Sequence, residues 1–110
     1  MVVGFKGDVS TFSDLTPDQP YVVIGIESDD YRLLNDQGRP YLYPADAFEV
    51  IDAREPNDWI TEYGEDGERY AYPAPLNVPG FFEDYFDTKA KAVKTFWREV
   101  NTRLANAAAA

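Results

Sequence analysis

Residues 21–52 read YVVIGIESDDYRLLNDQGRPYLYPADAFEVID, and this stretch decides the fold. Tyr21–Glu27 is β-branched and aromatic apart from one glycine and a closing acid, which is the composition of a strand. Ser28-Asp29-Asp30 interrupts it as a tight turn. Tyr31–Asn35 predicts a second strand and Asn35-Asp36-Gln37-Gly38 a second turn. Tyr41-Leu42-Tyr43 predicts a third strand, closed by Pro44, because proline cannot donate to a ladder. Asp46–Phe48 fits one helical turn, and Phe48–Ile51 a short strand after it. Turn signals recur about every ten residues, the spacing of a meander that forms a small barrel or a curled antiparallel sheet.

The succession is strand, acidic turn, Tyr31-Arg32 strand, Asn35-Asp36-Gln37-Gly38 turn, aromatic-proline strand end at Tyr43-Pro44, then Phe48-Glu49-Val50. It resembles a small bacterial SH3-like β-barrel. The resemblance covers residues 21–52, about a third of the chain. It implies a barrel fold and says little of activity, because small barrels host many functions. The Ala-Leu-Tyr-Asp-Tyr signature of the eukaryotic peptide-binding module is absent.

Outward from this stretch, Val2 and Phe5 suggest a short first strand, followed by a loop through Val9 and Phe12. Thr16-Pro17-Asp18-Gln19-Pro20 reads as a turn cluster. Downstream, Trp59–Tyr63 and Glu68–Tyr72 predict a second hairpin. Its turn, Gly64-Glu65-Asp66-Gly67, contains the Asp-Gly pair that favours tight reversals. Pro73, Pro75 and Pro79 then end sheet pairing. Phe81, Phe82, Tyr85 and Phe86 fit one or two helical turns, with Asp87 or Thr88 as candidate cap of a longer helix. In that helix Val93, Phe96, Trp97, Val100 and Leu104 recur at 3–4 spacing and form an apolar stripe. The expected fold is therefore mainly β, with an added hairpin and a C-terminal α-helix. One domain is expected over residues 1–106, β-rich in 1–76 and helical in 80–105, with 107–110 as a frayed tail.

Composition narrows the function. At 110 residues the chain suits one domain, and 45% hydrophobic content supplies a core. No apolar run approaches the ~18–20 residues of a membrane span, and the N-terminus lacks the basic start and apolar stretch of a signal peptide. Cysteine is absent, which removes thiol chemistry and fits a reducing cytoplasm. Charge is uneven: residues 1–88 carry 19 acidic against 5 basic side chains, and residues 89–110 carry 1 against 5. A body this acidic repels nucleic acid backbones and favours basic partners.

The chemistry-bearing residue types point the same way. With no histidine and no cysteine, the commonest general base and the strongest nucleophile are missing. Ser10, Ser13 and Ser28 have no evident activating partner. A pair of carboxylates remains as a hydrolase alternative. Transition metals prefer ligands that this chain lacks, and neither Asp29-Asp30 nor Glu65, Asp66 and Glu68 matches a calcium loop. Neither a metal nor a cofactor is expected. Tyrosine is abundant on the predicted strands, and tyrosine favours interfaces because it offers rigid area with a polar tip. The expected activity is non-catalytic binding of a protein with a basic surface, as in a small cytoplasmic inhibitor of the immunity or anti-defence type. Tyr41, Tyr43, Trp59, Tyr63 and Tyr70 are the expected anchors. Glu62, Glu65, Asp66 and Glu68 are the expected steering charges, with DNA mimicry as one form such a row takes. Direct nucleic-acid or membrane binding is not expected, and the state is monomer or weak dimer. The rival from another class is a structural module that self-associates through the C-terminal helix, should Phe81, Phe82 and Phe96 lack partners within one chain.

Overall fold

In a computed structural model, which describes residues 1–109 and side chains as far as Asn106, seven antiparallel strands and a C-terminal helix account for most of the chain. The strands are β1 Val2–Phe5, β2 Pro20–Glu27, β3 Asp30–Leu34, β4 Pro40–Pro44, β5 Phe48–Asp52, β6 Trp59–Tyr63 and β7 Arg69–Pro73. The helices are α1 Phe81–Phe86 and α2 Ala90–Ala109, and short 3-10 turns fill Ala45–Ala47 and Ala74–Leu76. The chain is thus mainly β, as the turn spacing predicts. It divides into two compact units, Met1–Tyr72 and Pro73–Ala110.

In the first unit β1 lies between β2 and β5, and the path continues from β2 to β3 and β4. Alternation decides what each strand buries. Val3 and Phe5 of β1 are fully buried, and their register partners Tyr21, Val50 and Phe48 stand beside them. Tyr21 and Val23 of β2, Leu33 of β3 and Tyr43 of β4 complete the core with Leu15 and Ala47. The ring of Tyr31 on β3 meets that of Phe48 on β5 at 5.9 Å. These strands are three ladder steps apart, and rings standing on a flat sheet would be about 14 Å apart at that separation. The open sheet therefore bends over its core.

β2 performs two tasks, and a bulge separates them. Its register with β3 shifts between Val23 and Gly25, so Ile24 is the extra residue. Before the bulge Tyr21 and Val23 point into the core, and after it Ile26 does. Beyond the bulge β2 also pairs with β7, Ile26 opposite Ala71 and Glu27 opposite Tyr70. β7 carries β6 on its other side. The second hairpin is thus built onto the C-terminal half of β2.

Gly25 is where β7 approaches most closely. A Cβ there would lie 2.1 Å from Tyr72 Cε1, so only glycine lets the ring lie against the strand. The Tyr72 hydroxyl donates to Glu27 Oε2 at 2.5 Å, and Arg32 Nε donates to that hydroxyl at 2.7 Å. Arg32 also donates to Glu27 Oε2 and to the Pro40 carbonyl, at 2.7 and 2.6 Å. A buried guanidinium is tolerable only with such partners.

The second unit is held by rings that meet edge to face or tilted. Phe82 and Tyr85 meet Phe96 of α2 at 6.1 and 4.8 Å, Phe81 meets Phe82 at 5.1 Å, and Phe96 meets Trp97 at 5.1 Å. Ala92, Phe96 and Val100 are the buried stripe of α2, whereas Leu104 is exposed. The expected cap is displaced. Thr88 N–H donates to Tyr85 O and Lys89 N–H to Asp84 O, both at 3.0 Å, which closes α1 as a Schellman motif. Thr88 takes the left-handed position with φ of 57°, and its hydroxyl donates to Asp87 O instead of accepting from α2. α2 continues through Ala109, and Ala110 lies outside the described residues.

Candidate protein-docking face

The β6–β7 hairpin gathers most of the residues expected to bind a partner. Gly64 N–H donates to Glu68 O at 2.8 Å and Gly67 N–H to Gly64 O at 3.1 Å, which closes the turn. Gly67 has φ of 80°, a value that glycine adopts without steric cost. Glu68 has a structural role as well as a charge. Its Oε2 accepts from Asp66 N–H at 3.0 Å, and its carboxylate folds over Gly64. Glu62, Glu65 and Asp66 are exposed around this turn.

Between residues 58 and 68 the chain has five acidic side chains and no basic one. Arg69, the nearest cation on β7, is already held. Its guanidinium donates to both Glu55 oxygens, at 2.7 and 2.5 Å, and to Thr61 Oγ1 at 3.1 Å. The pairing holds the Glu55 carboxyl below its ordinary range and raises Arg69. The negative charge of the hairpin tip is therefore left to face solvent.

The expected aromatic anchors separate into four groups. Tyr63 is 70% exposed beside Glu62, and Ile60, which the tyrosine pattern passes over, is 42% exposed on the same strand. Trp59 and Tyr70 are half-buried, and Trp59 packs against the core. Tyr41 is exposed on β4, separated along the ladder from β6 by β3, β2 and β7. Tyr43 corrects the expectation: it is buried and serves the core. Its hydroxyl donates to Asp14 Oδ2 at 2.6 Å and accepts from Asn35 Nδ2 at 3.1 Å. Burial and the adjacent Asp14 carboxylate push its ionisation well above the ordinary tyrosine range. Tyr43 carries this hydroxyl inward because Asp14 and Asn35 are there to bond it, and neither is a neighbour on its strand.

Three further acids lie in the other unit. Glu83 and Asp84 occupy the first turn of α1, and Asp87 is its C-cap. Among the described residues no group of three or more acidic side chains is placed to hold a metal ion, and no helix is long and apolar enough to cross a membrane. The buried Arg32–Glu27–Tyr72 cluster was not expected from strand composition. Its available signals are the lone glycine in β2 and the arginine between Tyr31 and Leu33 in β3. Comparison with protein families, curated proteins and solved structures returns no match.

Proposed function

We propose that this chain is a non-catalytic, acidic protein-binding module of the small-inhibitor type, acting in the cytoplasm on a basic or nucleic-acid-binding protein. The observation that carries the reading is the β6–β7 tip. Tyr63 and Ile60 are exposed there among Glu62, Glu65 and Asp66, while Arg69 is held away from them by Glu55. Exposed rings supply contact area, and like charges at the rim accelerate encounter with an opposite surface and reject acidic ones. The anchors of the reading are Tyr63 and Ile60, with Trp59 and Tyr70 supporting them from the hairpin's base.

The rest of the first unit supports this reading. Lys6, Arg32, Arg54 and Arg69 each have a carboxylate partner in the same unit. The unit has 16 acidic side chains against 5 basic, a net of −11. The proposed kinship to SH3-like barrels rests on the strand path, in which β5 returns through a single 3-10 turn to pair with β1. Ring partners for Phe81, Phe82 and Phe96 within one chain support the docking reading over self-association through the C-terminal helix.

The test compares two baits in the native host. Wild type and a Glu62→Lys, Glu65→Lys, Asp66→Lys variant are used to capture proteins at low salt. The reading expects a basic protein retained by wild type and lost from the variant, with both baits equally folded. Equal retention of the same proteins by both would overturn it. Glu68 is left unchanged because its carboxylate ties the turn.

A further inference from the structure

We propose that β6 takes up an extended, basic segment of the partner protein as an added antiparallel strand. The inference rests on the docking reading above and specifies how the partner is held.

Three strands end the sheet's paths: β4, β5 and β6. Proteins protect such edges with proline, lysine, bulges or cover, because an open row of backbone donors and acceptors recruits other strands. β4 has proline at both ends. β5 pairs with β1 through a shifted register at Val2/Val3. β6 has neither proline nor lysine, and four of its five residues, Ile60 through Tyr63, are exposed. Among the described residues it pairs with β7 alone.

The hairpin closure fixes which backbone groups of β6 face outward. Gly64 is hydrogen-bonded to Glu68, so by the period of an antiparallel ladder Glu62 and Ile60 also turn their backbone groups toward β7. Thr61 and Tyr63 then turn theirs to the open side. Trp59 N–H is engaged by Pro56 O at 3.3 Å, which leaves Thr61 and Tyr63 as the two pairing positions.

Charge selects the occupant. A second copy would bring Glu62 and the acidic tip against the same acids, and like charges across a strand pair are destabilising. A strand that alternates lysine or arginine with apolar residues meets Glu62 with its basic side chains on one face. On the other it lays its apolar side chains against Tyr63. Backbone pairing supplies affinity in such complexes and alternate side chains supply selectivity.

The probe is a synthetic peptide alternating lysine and valine, long enough to span the five residues of β6. It is compared with two versions N-methylated at alternate backbone positions, one on the lysines and one on the valines. Strand addition predicts that the parent peptide binds and weakens with salt. It predicts that one methylation phase weakens binding about tenfold or more, as loss of two backbone hydrogen bonds does, while the other does not. Thr61→Pro, which removes an outward N–H, weakens binding similarly. Thr61→Val, which removes only the hydroxyl that Arg69 contacts, leaves it unchanged. Salt-dependent binding that ignores methylation phase and Thr61→Pro overturns strand addition and leaves acidic docking standing. No binding by the parent peptide overturns strand addition and, with it, docking of an extended basic segment on this face. Binding of two protein copies to each other through β6, shown by sedimentation and lost in Thr61→Pro, overturns the choice of a basic occupant.

Discussion

Gly25 shows how one residue couples two strands. Tyr72 is fixed at its far end by Glu27 and Arg32, so its ring has no room to retreat from an added methyl group. Gly25→Ala is expected to destabilise the chain by about 2–4 kcal/mol in urea denaturation, combining overpacking with disturbance of a partly buried ion pair. In a Tyr72→Ala background the same change costs much less, because the obstructing ring is gone. Thr88 gives the opposite sign. It holds a left-handed conformation that disfavours β-branched side chains, at a helix end where glycine is usual. Thr88→Gly is expected to raise stability by ~0.5–1 kcal/mol, after allowing for the greater freedom of glycine in the unfolded chain. Tyrosine burial sets an alkaline limit. Tyr43 and Tyr72 ionise only well above the ordinary value of 10.0 in the folded state. Their contribution is complete below that value and is lost as the pH rises beyond it. Phenolate absorbance followed with pH should show these two rings titrating together with unfolding. Gly25 was legible only as a break in an otherwise β-branched and aromatic run; its close contact is with Tyr72, which a distant strand brings against it. The burial of Tyr43 was not legible, because Asp14, which accepts from it, lies 29 residues earlier in the chain.

Strands and turns were the legible elements. Residues 21–52 break where β2 to β5 do, because turn residues and β-branched runs act locally. The β6–β7 hairpin was legible from Gly64–Gly67 for the same reason. What the pattern missed was exposure: Trp59 and Tyr63 share a face, yet Trp59 packs on the core while Tyr63 is exposed, and the pairing of β2 with β7 ends at Tyr70. The hairpin's tie to the chain before it is the Glu55–Arg69 pair. Glu55 is held below its ordinary range, so the pair stabilises above that range and its contribution is lost as the pH falls through the lowered value. Glu55→Gln is expected to cost about 1 kcal/mol at neutral pH and almost nothing in acid, read from unfolding midpoints at both. α2 was legible in period but not in extent: Leu104 continues the spacing and is exposed, while Ala92 is buried.

At the scale of the molecule the charge division follows the compact units. The uneven distribution read from the sequence breaks at residue 88. With the break at Tyr72/Pro73 instead, the first unit has a net charge of −11 and the second, with 4 acidic and 5 basic side chains, of +1. The acids before α2 and the bases on it thus balance within one unit, although α2 has no acid in its first turn and no base in its last, so the balance is not a matching of its dipole. The excess belongs to the sheet-forming unit, and its hairpin tip combines that excess with exposed apolar side chains. The central claim is that this tip receives a basic protein. Its most direct test is the association rate of the captured partner with wild type and with the Glu62→Lys, Glu65→Lys, Asp66→Lys variant, measured from low to physiological ionic strength. The account predicts a wild-type rate that falls steeply as salt shortens the screening length to about 8 Å, and a variant rate that is slower at low salt and nearly flat. Identical rates and identical salt dependence for the two proteins would contradict it.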